Sequence, residues 1–344
     1  MKIMAFGDIH FHNSHRFSNI EPSEYTTREI EQYNCAKTLI RLAKEENIDK
    51  VVFLGDAWQA VGDTISAETQ SIMIEFFAEL RRYLPNLSVI LGNHDLINNN
   101  PEINKLNFIK YMPPIEFYWK PEVKDTFVYM PYCLNDDEAI RFLEAIPNKQ
   151  DKIIFSHLEL GGINLGGGIF TKKGVSLDLL NQFKMTLQGH YHSGGSYGHK
   201  IQIAGSTQRL SFKDKGISRK NILIYDTETD KIIRKSFESP DWLIFDDNNI
   251  DDLLKIDNNN YVKVDLTTDI LLTDEIKSKL EQVKGKTVHI DLTRISVNKQ
   301  IDDDTITKED NIGVIRKFVN KSDNDEDRKE QLIQEGTRLL NKVS

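Results

Sequence analysis

Five short polar blocks occur in the first two-thirds of the chain, each at or within one residue of the end of an apolar run. The blocks are Gly7-Asp8-Ile9-His10, Gly55-Asp56, Gly92-Asn93-His94-Asp95, Ser156-His157 and Gly189-His190-Tyr191-His192. The preceding runs, residues 3–6, 51–54, 89–91, 153–155 and 185–187, are short and rich in β-branched and other apolar residues. Such runs, stopped by glycine or a polar residue, predict buried strands. Open α/β sheets place functional side chains at the carboxyl ends of their strands, so we expect the blocks to meet there.

The polar side chains of the blocks are suited to binding metal ions. The candidate ligands are Asp8, His10, Asp56, Asn93, His157, His190 and His192. Oxygen and imidazole donors without a thiolate suit Mn²⁺, Fe²⁺ or Zn²⁺ better than an all-oxygen Mg²⁺ or Ca²⁺ site or a structural thiolate zinc site. Seven ligands are too many for one ion but suit two ions that share a carboxylate. The sequence therefore predicts two divalent metal ions.

The spacing within the blocks favours convergence of these ligands. Residues two apart in a strand point to the same side, so Asp8 and His10 can reach one ion. His190 and His192 can do the same if the backbone there is extended. Taken alone, an aspartate after a strand is often a helix cap or turn residue, and a single histidine such as His157 is often a buried structural residue. Five of the nine histidines lie in these blocks, which favours a metal centre.

Block for block, residues 1 to about 225 resemble the calcineurin-like metallophosphoesterases. The resemblance implies a two-sheet α/β sandwich around a dinuclear metal centre, with Mn²⁺ as the expected metal. It places Asp8, His10, Asp56 and His192 on the first ion, and Asp56, Asn93, His157 and His190 on the second. It also implies that His94 protonates the leaving oxygen and that Asp95 holds the ring of His94.

Details of the blocks narrow the resemblance within that superfamily. Asp56 is followed by Ala57-Trp58-Gln59, and the third block ends in Asp95, which argues against a protein Ser/Thr phosphatase. Residues 204–212 are similar to the Gly-Ser-x-x-x-x-Ser-Phe stretch of SbcD-type nucleases, which include bacteriophage recombination endonuclease subunits. The alternative interpretation is a strand-end turn with an apolar anchor. Gln59 departs from the pattern, because many relatives have His or Asp there.

Residues beyond 240 predict a second, smaller domain. Residues 261–266 and 287–292 alternate like strands, and residues 274–283 have a helical pattern, which together predict a β-α-β unit. In SbcD-like nucleases the corresponding unit is a DNA-facing cap. We therefore expect a nuclease domain at 1–238, a cap domain at 239–300 and a helical tail at 301–344.

The apolar residues of the tail are spaced as in two amphipathic helices. The candidate partner-binding residues are Ile312, Ile315, Phe318, Leu332, Leu339 and Leu340. Such short helices need a surface to pack on. This surface could be the body of the chain itself. The resemblance implies instead the base of the coiled coil of an SbcC-type ATPase, with the chain as a homodimer in a heterotetramer.

Composition is that of a soluble globular protein, with 39% hydrophobic and 28% charged residues. The N-terminus lacks the pattern of a signal peptide, and no apolar run approaches the roughly 20 residues of a membrane span, so we expect a cytoplasmic protein, in the host cytoplasm if phage-encoded. Cys35 and Cys133 are expected to be reduced, with Cys35 buried on a helix.

The net charge of −9 opposes tight DNA binding, which depends on basic residues. Basic clusters occur at 172–173 and 213–220, and acidic residues at 246–247, 251–252 and 302–304 are expected in linkers. We therefore predict weak DNA affinity for the isolated chain. The glycines at 161–168 lack the Gly-Lys-Ser/Thr of a nucleotide-binding loop, so ATP would belong to another subunit.

The functional hypothesis from the resemblance is a DNA nuclease, acting as a 3′–5′ exonuclease and single-strand endonuclease in repair or recombination. One alternative is a stand-alone phosphodiesterase or phosphatase acting on small nucleotides. Another is an inactive scaffold of the same fold that only binds a partner, which the complete set of ligand blocks argues against.

Overall fold

The computed structural model of the chain describes residues 1–12, 19–21, 25–59, 65–163, 170–210, 212, 221–237, 240–256, 260–267, 274–284, 287–295 and 329–334. Its strands are β1 (Lys2–Phe6), β2 (Lys50–Phe53), β3 (Leu87–Ile90), β4 (Leu96–Ile97), β5 (Asn100–Asn104), β6 (Glu116–Tyr118), β7 (Glu122–Lys124), β8 (Phe127–Met130), β9 (Ile153–Ser156), β10 (Leu160–Gly161), β11 (Val175–Ser176), β12 (Met185–Gln188), β13 (Gly195–Tyr197), β14 (Ile201–Ile203), β15 (Asn221–Asp226), β16 (Lys231–Ser236), β17 (Trp242–Asp246), β18 (Asn260–Thr267) and β19 (Thr287–Ile295). Its helices are α1 (Thr27–Glu45), α2 (Ala67–Tyr83), α3 (Asp136–Ala145), α4 (Leu177–Leu180) and α5 (Asp274–Val283), with 3₁₀ helices at Asn107–Tyr111, Lys149–Asp151 and Ile250–Lys255.

Two six-stranded sheets form the body of the protein. The first has the order β16-β15-β1-β2-β3-β6, with β1, β2, β3 and β6 parallel to their neighbours in that series. The second has the order β13-β14-β12-β9-β8-β7, with β8, β9, β12 and β14 parallel. The five strands predicted before the polar blocks are β1, β2, β3, β9 and β12, so these predictions are confirmed. They are neighbours within each sheet, which brings their carboxyl ends together.

Successive side chains of β1 point to opposite faces of the first sheet, and their contacts show how the layers are packed. Ile3 and Ala5 lie in a core cluster with residues of the second sheet, including Phe155 and Leu187. Met4 and Phe6, on the opposite face, lie in a cluster with residues of α1 and α2. The far face of the second sheet packs against α3 and α4. The predicted two-sheet α/β sandwich is therefore confirmed, with helices on both outer faces.

Helix α1 begins at a capping box and carries one of the two cysteines into the core. The side chain of Thr26 accepts a hydrogen bond from the backbone N–H of Glu29, whose carboxylate accepts from the backbone N–H of Thr26. Cys35 is buried, and burial raises the pKa of its thiol to about 12. Cys35 therefore has the inert, apolar role that the helical pattern predicts.

The C-terminal part contains a three-stranded sheet with the order β17-β18-β19. It has its own apolar core, in which Val262, Val264 and Ile276 of β18 and α5 are buried. The predicted β-α-β elements are present as β18, α5 and β19. Strand β17 and the 3₁₀ helix Ile250–Lys255 were not predicted, and they contain the acidic residues at 246 and 251–252 that were expected in linkers.

The chain divides into two compact units, one of Met1–Leu266 with Ile270–Arg294 and one of Thr267–Asp269 with Ile295–Ser344. In the second unit, residues 329–334 are helical, and Leu332 within them is half-buried. The other predicted partner-binding positions, Ile312, Ile315, Phe318, Leu339 and Leu340, lie outside the described residues, as do the basic residues at 213–220. Within the described residues, no helix is long and apolar enough to cross a bilayer.

Candidate metal centre

The first group of candidate ligands comes from three of the polar blocks, two that follow strands of the first sheet and one that follows a strand of the second. Asp8, His10, Asp56 and His192 each present one donor atom, and these atoms lie within 4.8 Å of one another. The Nε2 atoms of His10 and His192 are 3.0 Å apart, and Nε2 of His10 is 3.8 Å from Oδ2 of Asp56. The set matches the ligands that the resemblance implies for one ion.

The second group shares Asp56 with the first. Asp56, His157 and His190 present donor atoms within 4.8 Å of one another. The side-chain oxygen of Asn93 lies 3.0 Å from Nε2 of His157 and 3.0 Å from Nδ1 of His190. All seven candidate ligands are thus brought together, with the carboxylate of Asp56 between the two groups.

The backbone that achieves this convergence differs from the extended strand expected from sequence. Strand β1 ends at Phe6, and Asp8 and His10 follow it with φ of 54° each, in the left-handed region. His190 has a φ of 70°, and the backbone turn sends His190 to the second group and His192 to the first. The backbone there is not extended, so the condition under which His190 and His192 could reach one ion is not met, and the two residues lie in separate groups as the resemblance implies. Left-handed non-glycine residues are uncommon and often mark functional sites.

Backbone carbonyls fix the orientation of two of the imidazole rings. Nδ1 of His10 lies 2.9 Å from the carbonyl oxygen of Trp58, and Nδ1 of His157 lies 2.6 Å from that of Leu54. A carbonyl can only accept, so each Nδ1 carries a hydrogen, and Nε2 of each ring, when that ring is neutral, directs a lone pair into the site. This arrangement is usual for metal-binding histidines.

Glu159 is a site residue that the sequence analysis did not identify. Its Oε1 lies 3.1 Å from Nε2 of His190, the ring nitrogen opposite the one that faces Asn93 and His157. Glu159 follows His157 by two residues, and this short spacing was the available sequence signal. A carboxylate on the outer nitrogen of a metal-binding histidine orients the ring and raises its basicity.

His94 lies beside the first group with its ring held by a backbone carbonyl. Its ring centroid is 4.9 Å from that of His10, and its Nδ1 is 2.7 Å from the carbonyl oxygen of Gln59. The contact uses the main chain of Gln59, whose side chain is exposed. The unusual residue at position 59 is therefore compatible with holding His94.

Asp95 has a different role from the one expected. Its buried carboxylate accepts hydrogen bonds from the backbone N–H groups of Asp56 (3.1 Å), Ala57 (2.9 Å), Trp58 (3.2 Å) and Gly92 (2.9 Å). The prediction that Asp95 holds the ring of His94 is wrong, because its side chain turns inward and the Gln59 carbonyl lies at that ring. Asp95 instead fixes the backbone of Asp56, although burial raises the pKa of Asp95 to about 7.

Gly92 is required by the close approach of two blocks. A Cβ atom at this position would lie 2.2 Å from both the backbone nitrogen and Oδ1 of Asp56. No side chain fits at such a distance. The glycine before Asn93 therefore allows the shared carboxylate to lie between the two groups.

Residues 1–194 match the sequence profile of the family described as calcineurin-like phosphoesterase. The chain belongs to this family. Among curated protein sequences there is no match. Similar solved structures include an archaeal phosphodiesterase, with 11% identity over 69% of this chain and 100% of that chain and a TM-score of 0.36. Another is a dimetal phosphatase from Danio rerio, with 12% identity over 68% of this chain and 95% of that chain and a TM-score of 0.42. A third is Yfce, a phosphoesterase from E. coli, with 13% identity over 69% of this chain and 100% of that chain and a TM-score of 0.31.

The donor set of this calcineurin-like phosphoesterase fits two divalent metal ions. Oδ1 of Asp8 is buried and has no hydrogen-bond partner among the described residues. Burial also holds the pKa of His10 well below its usual value, so the ring is neutral and its Nε2 can accept a cation. Burial opposes ionisation of Asp56, but the adjacent His157 outweighs this and holds the pKa of Asp56 well below its usual range. Membership of the family indicates a metal-dependent phosphoester hydrolase.

Metal affinity is expected to rise with pH. Burial lowers the pKa of His157, but the charge of Asp56 outweighs it and raises that pKa to about 9, so the metal-free ring is protonated at neutral pH. A cation in the second group must displace this proton. We expect Mn²⁺ affinity of that group to increase about tenfold per pH unit from about pH 6 to about pH 8. Calorimetric titration in buffers of different ionisation enthalpy measures the affinity and counts released protons; an affinity independent of pH would contradict the assignment.

Replacing Glu159 with glutamine is expected to weaken the second metal group only. The amide keeps the shape of the side chain but loses the charge that orients His190, and loss of such a partner typically costs about 10- to 100-fold in metal affinity. A two-site Mn²⁺ titration measures the effect. The control is Glu102→Gln, which changes an exposed glutamate paired with Lys120. Weakening of both sites to the same degree would show that Glu159 acts on the fold as a whole.

Proposed function

We propose that this phosphoesterase is the nuclease subunit of an SbcCD-like complex, acting on DNA as a 3′–5′ exonuclease and single-strand endonuclease. Two ligand groups that share Asp56 support phosphodiester hydrolysis. The observation that carries the choice of DNA is the segment after the last block. Its Phe212 is buried against Trp242 and Tyr261, so the segment packs on the C-terminal sheet, which we propose to be the DNA-facing cap.

The residues of the site have distinct roles in this reaction. Asp8, His10, Asp56 and His192 would hold one divalent ion, and Asp56, Asn93, His157 and His190 the other, with Mn²⁺ as the proposed metal. When bound, such ions lower the pKa of water toward neutrality and stabilise charge that develops on the phosphoryl oxygens. His94, held through Nδ1 by the Gln59 carbonyl, can donate a proton from Nε2 to the leaving sugar oxygen.

The surface charge is consistent with a need for a partner. The net charge of −9 disfavours DNA binding by the isolated chain. Of the two basic clusters noted in the sequence, only the one at 172–173 lies within the described residues. We propose that a coiled-coil ATPase binds the tail that contains Ile312, Ile315, Phe318, Leu332, Leu339 and Leu340, and supplies DNA affinity. The proposed assembly is a homodimer of this chain within a heterotetramer.

The decisive experiment compares three substrates in the presence of Mn²⁺. The substrates are end-labelled duplex DNA, circular single-stranded DNA and bis-p-nitrophenyl phosphate, each tested with the chain alone and with an added SbcC-type coiled-coil ATPase. The proposal predicts shortening of duplex from 3′ ends and nicking of the circle, both increased by the ATPase. Hydrolysis of bis-p-nitrophenyl phosphate without cleavage of either DNA would favour an enzyme acting on small nucleotides.

The tail is tested by truncation. Removing residues 307–344 is expected to abolish co-purification of the ATPase and to leave hydrolysis of bis-p-nitrophenyl phosphate by the chain alone unchanged. An ATPase that still co-purifies with the truncated chain would contradict the tail as its binding site.

A further inference from the structure

A buried arginine joins helix α1 to the C-terminal sheet. The guanidinium of Arg28, 1% exposed, donates to Glu31 (2.9 Å), to Gln208 (3.0 Å) and to the carbonyl oxygen of Arg209. Its Cζ lies 5.4 Å from the ring centroid of Trp242 in β17, which stacks on Tyr261 of β18 at 4.6 Å. We call Arg28, Glu31, Gln208, Trp242 and Tyr261 the α1 latch.

The α1 latch is completed by a hydrogen bond from the C-terminal sheet. The hydroxyl of Tyr261 donates to Oε2 of Glu31 at 2.8 Å, the same oxygen that accepts from Arg28. The latch therefore contains a charged pair that packs against two stacked aromatic rings. Buried, charge-assisted contacts of this kind have well-defined geometry, so the latch fixes the start of α1 against β17 and β18.

One route leads from the latch to the first metal group through α1 itself. Gln32, one residue after Glu31 and fully buried, donates from Nε2 to the carbonyl oxygens of Ile9 (3.1 Å) and His10 (2.6 Å). His10 has a left-handed backbone that needs support from its surroundings. A shift of α1 would therefore move the main chain that presents His10.

A second route leads to the same group through Ser206. Its backbone N–H donates to the carbonyl oxygen of His192 (3.2 Å), and its hydroxyl donates to the carbonyl oxygen of Gln208 in the latch (2.8 Å). Ser206 also forms a parallel bridge with Gly7, next to Asp8. The latch thus contacts the supports of three ligands, Asp8, His10 and His192, all in the first group.

The second metal group shares Asp56 with the first, and the backbone N–H of His190 donates to Oδ2 of Asp8 (3.1 Å), but the rings of its two histidines are oriented by contacts outside the α1 latch. His157 is oriented by the carbonyl oxygen of Leu54, and His190 by Glu159. We infer that docking of the C-terminal sheet through the α1 latch sets the affinity of the first metal group selectively, with Arg28 and Gln32 as positioning residues. The inference rests on the proposed two-metal function, and it means that displacement of the sheet would weaken one ion and leave the other bound.

The test is a Mn²⁺ titration of the full-length protein, followed by calorimetry and by the electron paramagnetic resonance signal of unbound Mn²⁺. Arg28→Met is expected to weaken one of two sites about 10- to 100-fold and to leave the other unchanged. Two reference variants identify the sites, because His192→Ala removes a ligand of the first group and Glu159→Gln affects the second. The weakened site in Arg28→Met should be the one lost in His192→Ala.

Two milder variants test the inference if Arg28→Met does not fold. Tyr261→Phe keeps the aromatic stack and removes one hydrogen bond, so a shift of a few-fold at the first site is expected. Gln32→Leu leaves the C-terminal sheet untouched and should weaken the same site. The matched control, Asp251→Asn, breaks an ion pair with Lys279 away from the latch and should bind both ions like the wild type.

The possible outcomes separate this inference from the proposed function. Equal weakening of both sites, or unchanged affinity in Tyr261→Phe and Gln32→Leu, would overturn selective coupling while leaving the two-metal enzyme intact. A wild-type protein that fails to bind two Mn²⁺ ions would overturn the proposed function itself.

Discussion

Replacing Asp56 with asparagine is expected to abolish binding of both metal ions and to reduce phosphodiester hydrolysis about 10³-fold or more, since the lost charge stabilisation amounts to several kcal/mol. Asp56 belongs to both ligand groups, and its Oδ2 lies 3.2 Å from Nε2 of His157. Asparagine can still accept the hydrogen bond from the backbone N–H of His94, so the loop geometry should persist. Metal content by mass spectrometry and bis-p-nitrophenyl phosphate turnover measure the two effects.

The control for Asp56→Asn is the same substitution in another Asp–His pair. Oδ2 of Asp230 lies 3.0 Å from Nε2 of His199 on the surface, and neither residue belongs to a ligand group. Asp230→Asn should retain both ions and full turnover. An Asp56→Asn protein that is folded and still holds two ions with unchanged affinity would contradict a shared carboxylate.

The parts of the site that could be predicted from sequence are those encoded locally. An apolar run followed by a polar block specifies a buried strand and the position of its ligand within one or two residues, as at Val51–Leu54 and Asp56. Parallel neighbouring strands then bring such ligands together without further information. For this reason the five strands, the sandwich and the gathering of seven ligands agree with the structure.

The parts that could not be predicted depend on contacts between residues distant in the chain or on backbone turns. Arg28 and Gln208 are 180 residues apart, and nothing in either segment indicates that they meet. The partner of His94 is a backbone carbonyl, for which the sequence carries no signal, and sequence adjacency made Asp95 the apparent candidate. Strand β17 is short and follows Pro240, so its apolar residues gave no alternating pattern to identify it.

Replacing His94 with alanine is expected to reduce DNA cleavage by about 10²- to 10⁴-fold while both metal ions remain bound. His94 is not in either ligand group, and its ring is held 2.7 Å from the Gln59 carbonyl beside His10. A proton donor matters most when the leaving group is a poor one, as a sugar alkoxide is. The variant should therefore lose far less activity toward bis-p-nitrophenyl phosphate, whose phenolate leaves without a proton.

The comparison of the two substrates distinguishes proton donation from a general disturbance of the site. A structural role for His94 would lower both activities in parallel and would also weaken Mn²⁺ binding. The control is His199→Ala, which removes an exposed histidine paired with Asp230 and should leave both activities unchanged. Full activity of His94→Ala toward DNA would overturn the acid assignment, because no other imidazole of the described site is left outside the ligand groups to donate the proton.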